Sequence, residues 1–116
     1  MSNFAGKRIL VLEDEFLLAM EAAETLEELG AIVVGPAHRI DTALALLGEP
    51  IDAALLDVNI GGVSSRLVAE RLAELGVPVI FATGYGAHAG VTAGAAILDK
   101  PYTREQVKAA MRDIFS

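Results

Sequence analysis

Short apolar runs that alternate with helix-like segments are the feature that most constrains the fold of this chain. Each run has four or five residues, mostly β-branched or aliphatic, and the segments between the runs have helical periodicity. This alternation predicts an α/β domain in which helices cover both faces of a doubly wound parallel sheet. The predicted strands are 8–12, 31–35, 53–57, 79–83 and 95–98.

Five helices are expected, and several of their ends carry sequence signals. Gly30 and Gly76 are suited to end the first and third helices, and Ser64 is suited to be the N-cap of the third. Residues 103–106 form a capping-box pattern that opens the last helix. Four glycines within 84–94 predict a short or frayed fourth helix, since each lowers helix stability by about 1 kcal/mol relative to alanine. The first three helices are expected at about 15–29, 41–47 and 65–75. The apolar face of the last helix should contain Val107, Ala110, Met111 and Ile114.

Four of the five apolar runs are followed by residues suited to phosphate or metal chemistry. Glu13 and Asp14 follow the first run, Asp57 ends the third, Thr83 ends the fourth and Lys100 comes just after the fifth. Because the carboxyl ends of parallel strands meet at one edge of a sheet, these side chains should converge there. Packed carboxylates repel one another unless a cation joins them, and Mg²⁺ is the hard divalent ion that such oxygens usually hold. The pattern therefore predicts a Mg²⁺ site.

These residues stand in four motifs that follow one another in a fixed order. The motifs are Leu12-Glu13-Asp14-Glu15, Leu55-Leu56-Asp57-Val58-Asn59 followed by Gly61-Gly62, Phe81-Ala82-Thr83-Gly84, and Asp99-Lys100-Pro101. The ordered set resembles the receiver domains of two-component response regulators, along essentially the whole chain. This resemblance implies a flavodoxin-like sheet with strand order 2-1-3-4-5.

The resemblance implies that Asp57 is the phosphoacceptor. Its carboxylate would take a phosphoryl group from phosphohistidine of a sensor histidine kinase or a histidine phosphotransfer protein. Lys100 would pair first with Asp57 and later with the phosphoryl oxygens, Thr83 would donate its hydroxyl to the phosphoryl group, and a cis bond is implied before Pro101. Taken alone, an aspartate at this position would more often cap the turn after its strand.

The resemblance also implies the ligands of the metal. Glu13, Asp14 and Asp57 would hold Mg²⁺ through their carboxylates, and Asn59 through its backbone carbonyl. Many family members have aspartate where Glu13 stands. The additional methylene decides whether this carboxylate reaches the ion directly or through water.

Two features of the fourth and fifth strands depart from the common receiver pattern. Ile97 stands where many receivers have a switch aromatic, and residues 78–85 resemble the motif of the FATGUY group. This group consists mostly of single-domain receivers that work with HWE or HisKA_2 type histidine kinases. Tyr85 either supplies an aromatic side chain from the following loop or is an ordinary exposed tyrosine. His38 and His88 fall in predicted loops without ligand spacing and are not expected to take part in the site.

The first helix offers a candidate docking surface. On a helical projection its glutamates, among them Glu21, cluster opposite the apolar side, and Leu17 and Met20 fall on the acidic side. Exposed apolar residues beside the active edge would suit a kinase or phosphotransfer helix. Isolated surface apolar residues without a function are the common alternative.

Length and composition limit the remaining possibilities. We expect 1–116 to be a single receiver domain without an output domain, located in the cytoplasm. The net charge of -7 disfavours nucleic acid as a partner, and the absence of cysteine excludes disulfides and thiolate metal sites. The charge-poor stretch 75–98 is not expected to span a membrane, because Pro78 and five glycines interrupt it.

Two other functional classes remain open. A haloacid-dehalogenase-type phosphatase also uses an aspartate nucleophile and Mg²⁺, but it needs a second aspartate two residues later, where this chain has Asn59. A pseudo-receiver that only binds protein would not need Asp57, Thr83 and Lys100 together. The expected activity is that of a switch with weak self-phosphorylation and self-dephosphorylation, not that of an enzyme.

Overall fold

A five-stranded parallel sheet forms the centre of the protein. The computed structural model describes residues 4–84 and 96–115, and in this part of the chain four helices flank the sheet. The strands of the sheet are β1 (Arg8–Leu12), β2 (Ile32–Ala37), β3 (Ala53–Asp57), β6 (Val79–Thr83) and β7 (Ala96–Asp99). Their order β2-β1-β3-β6-β7 confirms the predicted flavodoxin-like order. The helices are α1 (Phe16–Glu28), α2 (Ile40–Leu46), α3 (Arg66–Glu74) and α4 (Arg104–Ile114). A separate hairpin consists of β4 (Asn59–Ile60) and β5 (Val63–Ser64).

Side chains that alternate along the strands supply two cores, one on each face of the sheet. On β3, Leu55 packs in the core that α1 and α4 cover, and Leu56 packs in the core that α2 and α3 cover. β3 is buried at every position because it lies in the middle of the sheet. The last residue of this central strand, Asp57, is therefore held by a rigid element.

The edge strand β2 extends further than the sequence predicts. It was expected to end at Gly35, but it continues through Pro36 to Ala37. Glycine and proline usually interrupt strands, yet proline is tolerated on an edge strand, where its missing N–H leaves no ladder bond broken. The pairing with β1 shifts register between Leu10 and Leu12 to accommodate this segment.

The start of the third helix differs from the prediction by one residue. Ser65, not Ser64, occupies the N-cap position of α3, and its side chain makes no capping hydrogen bond. The Ser65 hydroxyl instead donates to the Val58 carbonyl at 3.3 Å, while the Ser64 hydroxyl accepts from the Arg66 N–H at 3.1 Å. The predicted cap position is therefore one residue too early, although the Ser64 hydroxyl still satisfies the N–H of the first residue of α3.

The last helix begins as predicted. Thr103 and Gln106 form a complete capping box at the start of α4, and Val107, Ala110 and Met111 are buried. An ion pair between Arg104 and Glu28 joins this helix to α1.

The predicted fourth helix falls largely on 85–95 and lies outside the described residues.

No helix in the described part of the chain is long and apolar enough to cross a membrane.

Candidate functional site

Asp57 and Lys100 meet at the carboxyl edge of the sheet. Asp57 ends β3, and Lys100 follows β7, where its backbone N–H donates to the Thr83 carbonyl at 2.7 Å. The Lys100 ammonium donates to Asp57 Oδ2 at 2.8 Å and lies 2.7 Å from Glu13 Oε1. The side chains of Asp57 and Lys100 are 8% and 14% exposed, so the pair is largely withdrawn from water. One ammonium thus bridges two carboxylates from different strand ends.

Glu13 is the most deeply buried charge of this group. It is 3% exposed, and its second carboxylate oxygen accepts from the Glu15 N–H at 3.1 Å. Burial raises the pKa of Glu13 from 4.5 to about 7, although the contact with Lys100 acts in the opposite direction. Burial by itself would lower the pKa of Lys100, but the hydrogen bonds to Asp57 and Glu13 outweigh it and raise that pKa. The ammonium therefore remains charged.

Asp14 supplies the solvent-facing carboxylate of the cluster. Its Oδ2 accepts from the Gly61 N–H at 2.8 Å. Slight burial acts to raise the pKa of Asp14, but this hydrogen bond and those to Glu13 and Asp57 lower it overall. Oxygen atoms of Glu13, Asp14 and Asp57 lie within 4.8 Å of one another. Three hard oxygen donors, one of them open to water, fit the preference of Mg²⁺ for a few carboxylates completed by water.

Asn59 lies two residues beyond Asp57 and helps to orient it. The Asn59 N–H donates to Asp57 Oδ1 at 3.1 Å. Its side-chain oxygen accepts from the Gly62 N–H at 2.7 Å, which fixes the turn of the β4–β5 hairpin. Gly61 and Gly62 both have positive φ angles, 58° and 88°, as a two-residue type I′ turn requires. The same turn brings the Gly61 N–H to Asp14.

Thr83 is buried at the end of β6, beside β7. Its hydroxyl donates to Asp99 Oδ1 at 3.3 Å, so in this state it faces another carboxylate. Thr83, Asp57 and Lys100 nevertheless line one cleft of about 910 Å³, together with Asp14 and residues of the hairpin. The structure thus brings the predicted site residues to one edge of the sheet. Tyr85 and His88 lie outside the described residues.

His38 contacts the backbone of this site, which corrects the expectation that it takes no part in it. Its Nδ1 lies 3.0 Å from the Glu13 carbonyl oxygen, and its ring packs against Phe16 with centroids 5.5 Å apart. Spacing rules do not reveal such a contact, because the bond is to the backbone. The strand order could have indicated it, since neighbouring parallel strands β1 and β2 place the residues that follow them side by side.

The exposed side of α1 lies beside the cleft. Leu17 is 73% exposed and Met20 is 42% exposed, which confirms that these apolar side chains face outward. Glu21 lines a groove of about 270 Å³ between α1 and the segment that follows Lys100. Tyr102 forms part of the opposite wall, and burial raises the pKa of its hydroxyl to about 12.

A parallel sheet of this order, with an acidic pocket and a lysine at its carboxyl edge, has the architecture of a receiver domain. The response regulator receiver domain model matches residues 9–112, and the chain belongs to this family. The transcriptional regulatory protein TcrA of Mycobacterium tuberculosis is 35% identical over 115 residues, which cover 93% of this chain and 46% of TcrA. The phyllosphere-induced regulator PhyR of Methylorubrum extorquens is 37% identical over 81 residues, 66% of this chain and 30% of PhyR. The chain therefore spans less than half the length of these curated relatives.

Among solved structures, the solution structure of SdrG from Sphingomonas melonis Fr1 is similar over the full length of both chains. The two share 39% sequence identity and superpose with a TM-score of 0.82. The response regulator PhyR from Brucella abortus matches with 30% identity and a TM-score of 0.83, covering 96% of this chain and 48% of that protein. The solved structures thus support the same fold and family as the receiver domain model.

Proposed function

We propose that this receiver domain accepts a phosphoryl group on Asp57 from phosphohistidine of a partner protein and later loses it by hydrolysis. The observation that supports this most is the 2.8 Å contact between Asp57 Oδ2 and the Lys100 ammonium, within a cleft that is open to a donor. An aspartate held beside a charged lysine can receive a dianionic group whose charge the lysine then offsets.

The transfer exchanges one phosphorus bond for another. A carboxylate oxygen of Asp57 attacks phosphorus, the P–N bond to the partner histidine breaks, and the released imidazole keeps the electron pair and takes up a proton. Water later attacks the aspartyl phosphate, which releases inorganic phosphate and restores the carboxylate. Weak self-directed turnover of this kind makes the domain a switch.

Lys100 and Thr83 are the two protein groups proposed to contact the phosphoryl oxygens. The Lys100 ammonium already lies against Asp57, so it can follow the negative charge onto the phosphoryl group. The Thr83 hydroxyl, which now donates to Asp99, would donate to a phosphoryl oxygen once one is present. If the Thr83 hydroxyl leaves Asp99 for the phosphoryl group, phosphorylation would change the contacts of the last residue of β7.

Mg²⁺ is the proposed cofactor. Glu13, Asp14, Asp57 and the backbone carbonyl of Asn59 would hold it, and when bound it supplies positive charge that offsets the negative charge of the transferred group. The three clustered carboxylates carry this proposal. The exposure of Asp14 leaves room for the water ligands that Mg²⁺ retains.

The proposed partner is a histidine kinase or a histidine phosphotransfer protein in the cytoplasm. Leu17, Met20 and Glu21 on α1 are exposed beside the cleft and would contact a partner helix that carries the phosphohistidine. The resemblance to the FATGUY group favours a kinase of the HWE or HisKA_2 type. The acidic charge of α1 favours a partner with basic residues around its histidine.

A phosphatase of the haloacid dehalogenase type is less well supported. Such an enzyme needs an acid two residues after its nucleophile. Asn59 cannot donate a proton as a carboxyl would, and its side-chain oxygen already accepts from the Gly62 N–H. The position is used to build the hairpin turn.

Intact-mass spectrometry after incubation with acetyl phosphate tests the proposal. We expect one added phosphoryl group in the presence of Mg²⁺, little in its absence and none in Asp57→Asn. Asp52→Asn is the matched control, because Asp52 lies at the opposite end of β3 and pairs with the Arg8 backbone N–H. A pseudo-receiver would remain unlabelled, and a phosphatase would release phosphate over many turnovers without accumulating label. Either result would reject the proposal.

A further inference from the structure

The Glu13 backbone contacts the last residue of β2 and the residue that follows it. Its N–H donates to the Ala37 carbonyl at 3.0 Å, which continues the β1–β2 ladder beyond the last strand residue. Its carbonyl oxygen lies 3.0 Å from Nδ1 of His38. Because a carbonyl oxygen only accepts, Nδ1 must carry the proton, and this contact fixes the tautomer of the ring.

The His38 ring is held in place from its other side by Phe16. The two rings pack at a centroid distance of 5.5 Å with a tilt of 35°, and Phe16 belongs to the first turn of α1. Phe16 is itself 64% exposed, so this contact does not place it in the core. His38 thus has two contacts, one with the Phe16 ring and one with the Glu13 carbonyl oxygen.

Holding the Glu13 carbonyl fixes the plane of the peptide bond between Glu13 and Asp14. The direction in which Asp14 leaves the backbone depends on this plane, and the Asp14 carboxylate is otherwise secured by the Gly61 N–H. A Mg²⁺ ion requires its oxygen ligands at about 2.0–2.1 Å in near-octahedral geometry. If the peptide bond between Glu13 and Asp14 rotated, the Asp14 carboxylate would move away from the distance that Mg²⁺ requires. The buried Glu13 side chain would keep its contact with Lys100.

We propose that His38 is a positioning residue for the metal site, and that its Nδ1–H bond to the Glu13 carbonyl orients Asp14 for Mg²⁺. This inference rests on the proposed function, because it presupposes that the acidic cluster binds Mg²⁺. It assigns His38 no contact with the ion.

Two substitutions separate the hydrogen bond from the bulk of the side chain. His38→Leu keeps a branched side chain but removes the donor. His38→Asn restores a donor, because its amide nitrogen is bonded to Cγ just as Nδ1 is. Mg²⁺ affinity is measured by calorimetric titration of the full chain, and the free energy of unfolding is measured separately with urea in the presence of EDTA.

We expect His38→Leu to weaken Mg²⁺ binding about tenfold, as loss of a group that orients a ligand commonly does. We expect His38→Asn to stay within about twofold of the parent protein, since the donor is retained. Equal affinity of His38→Leu and the parent would overturn the inference. So would an equal loss in both variants, which would point to ring packing alone.

A spectroscopic measurement on the parent protein does not depend on whether the variants fold. The ¹⁵N resonances of the imidazole distinguish a protonated from a bare Nδ1, and we expect Nδ1 of His38 to be protonated. A bare Nδ1 would overturn the inference. If the parent protein binds no Mg²⁺, the proposed metal site fails as well, whereas Mg²⁺ binding that His38→Leu leaves unchanged rejects only the role of His38.

Discussion

Neutralising Glu13 should reduce the pH dependence of stability in the metal-free protein. Burial raises the pKa of Glu13 to about 7, compared with 4.5 in the unfolded chain. Between these values the folded protein holds a proton at this carboxyl that the unfolded chain has lost. The resulting stabilisation is fully present below about pH 4.5 and is lost as pH rises through about 7, so the free energy of unfolding falls across this window.

The size of this effect follows from the two pKa values. At about 1.4 kcal/mol per pH unit, a rise from 4.5 to about 7 corresponds to roughly 3 kcal/mol. Glu13→Gln removes the titrating group and should remove this part of the pH dependence. The raised pKa of Lys100 acts only at much higher pH, and the lowered pKa of Asp14 acts only below its usual value of 3.8.

Urea unfolding in EDTA at about pH 4 and about pH 8 measures the difference. The parent protein should lose roughly 3 kcal/mol more than Glu13→Gln between the two conditions. The attraction of Lys100 for the charged form of Glu13 is already contained in the pKa of about 7, because that contact lowers the pKa. Any cost of the glutamine side chain that does not depend on pH cancels when the two conditions are subtracted. Glu21→Gln, on the exposed side of α1, should behave like the parent. The same pH dependence in the parent and in Glu13→Gln would refute the reasoning.

Three further pairs of substitutions test the site and the fold. Asp14→Ala should weaken Mg²⁺ binding more than Glu13→Ala, because the two carboxylate oxygens of Glu13 already contact Lys100 and the Glu15 N–H. A Mg²⁺ titration that shows the reverse order would contradict this. Thr103→Ala should lower the free energy of unfolding by about 1 kcal/mol, because the capping hydroxyl is lost, and Thr103→Ser should lower it by less. If urea unfolding shows the same midpoint for Thr103→Ala as for the parent, the capping box does not stabilise α4. Gly35→Ala should destabilise by at least about 2 kcal/mol, because φ is +101° and the new Cβ would lie 2.7 Å from a backbone nitrogen. Gly62→Ala, at φ +88° in open space, should be milder, and equal losses would contradict the steric account.

The sheet could be predicted from the sequence because its strands are short apolar runs with few alternatives. The five strands of the sheet lie within two residues of their predicted bounds, and the strand order follows the family resemblance. The β4–β5 hairpin could not be predicted, since two-residue strands carry too little periodicity to be recognised.

The site could be predicted at the level of side chains but not of backbone contacts. Asp57, Lys100 and Asp14 lie close together because each stands at or just after the end of a strand of one parallel sheet, and that relation is visible in the sequence. The bond from His38 to the Glu13 carbonyl has no signal in the residue types, because any residue can supply a carbonyl. Only the strand order, which places the residues after β1 and β2 side by side, points to it. The pairing of Glu13 with Lys100 depends on the length of the glutamate side chain. Whether that side chain reaches the ammonium is known only once the structure places the ends of β1 and β7.

The central claim is that Asp57, and not a neighbouring carboxylate, accepts the phosphoryl group. Borohydride reduction converts an acyl phosphate to a stable alcohol, so tandem mass spectrometry of the reduced, digested protein can identify the residue that was labelled by acetyl phosphate and Mg²⁺. We predict that the modification is found at Asp57 alone. Modification of Glu13 or Asp14 in its place, or an unmodified Asp57 in protein that carries label, would contradict the account.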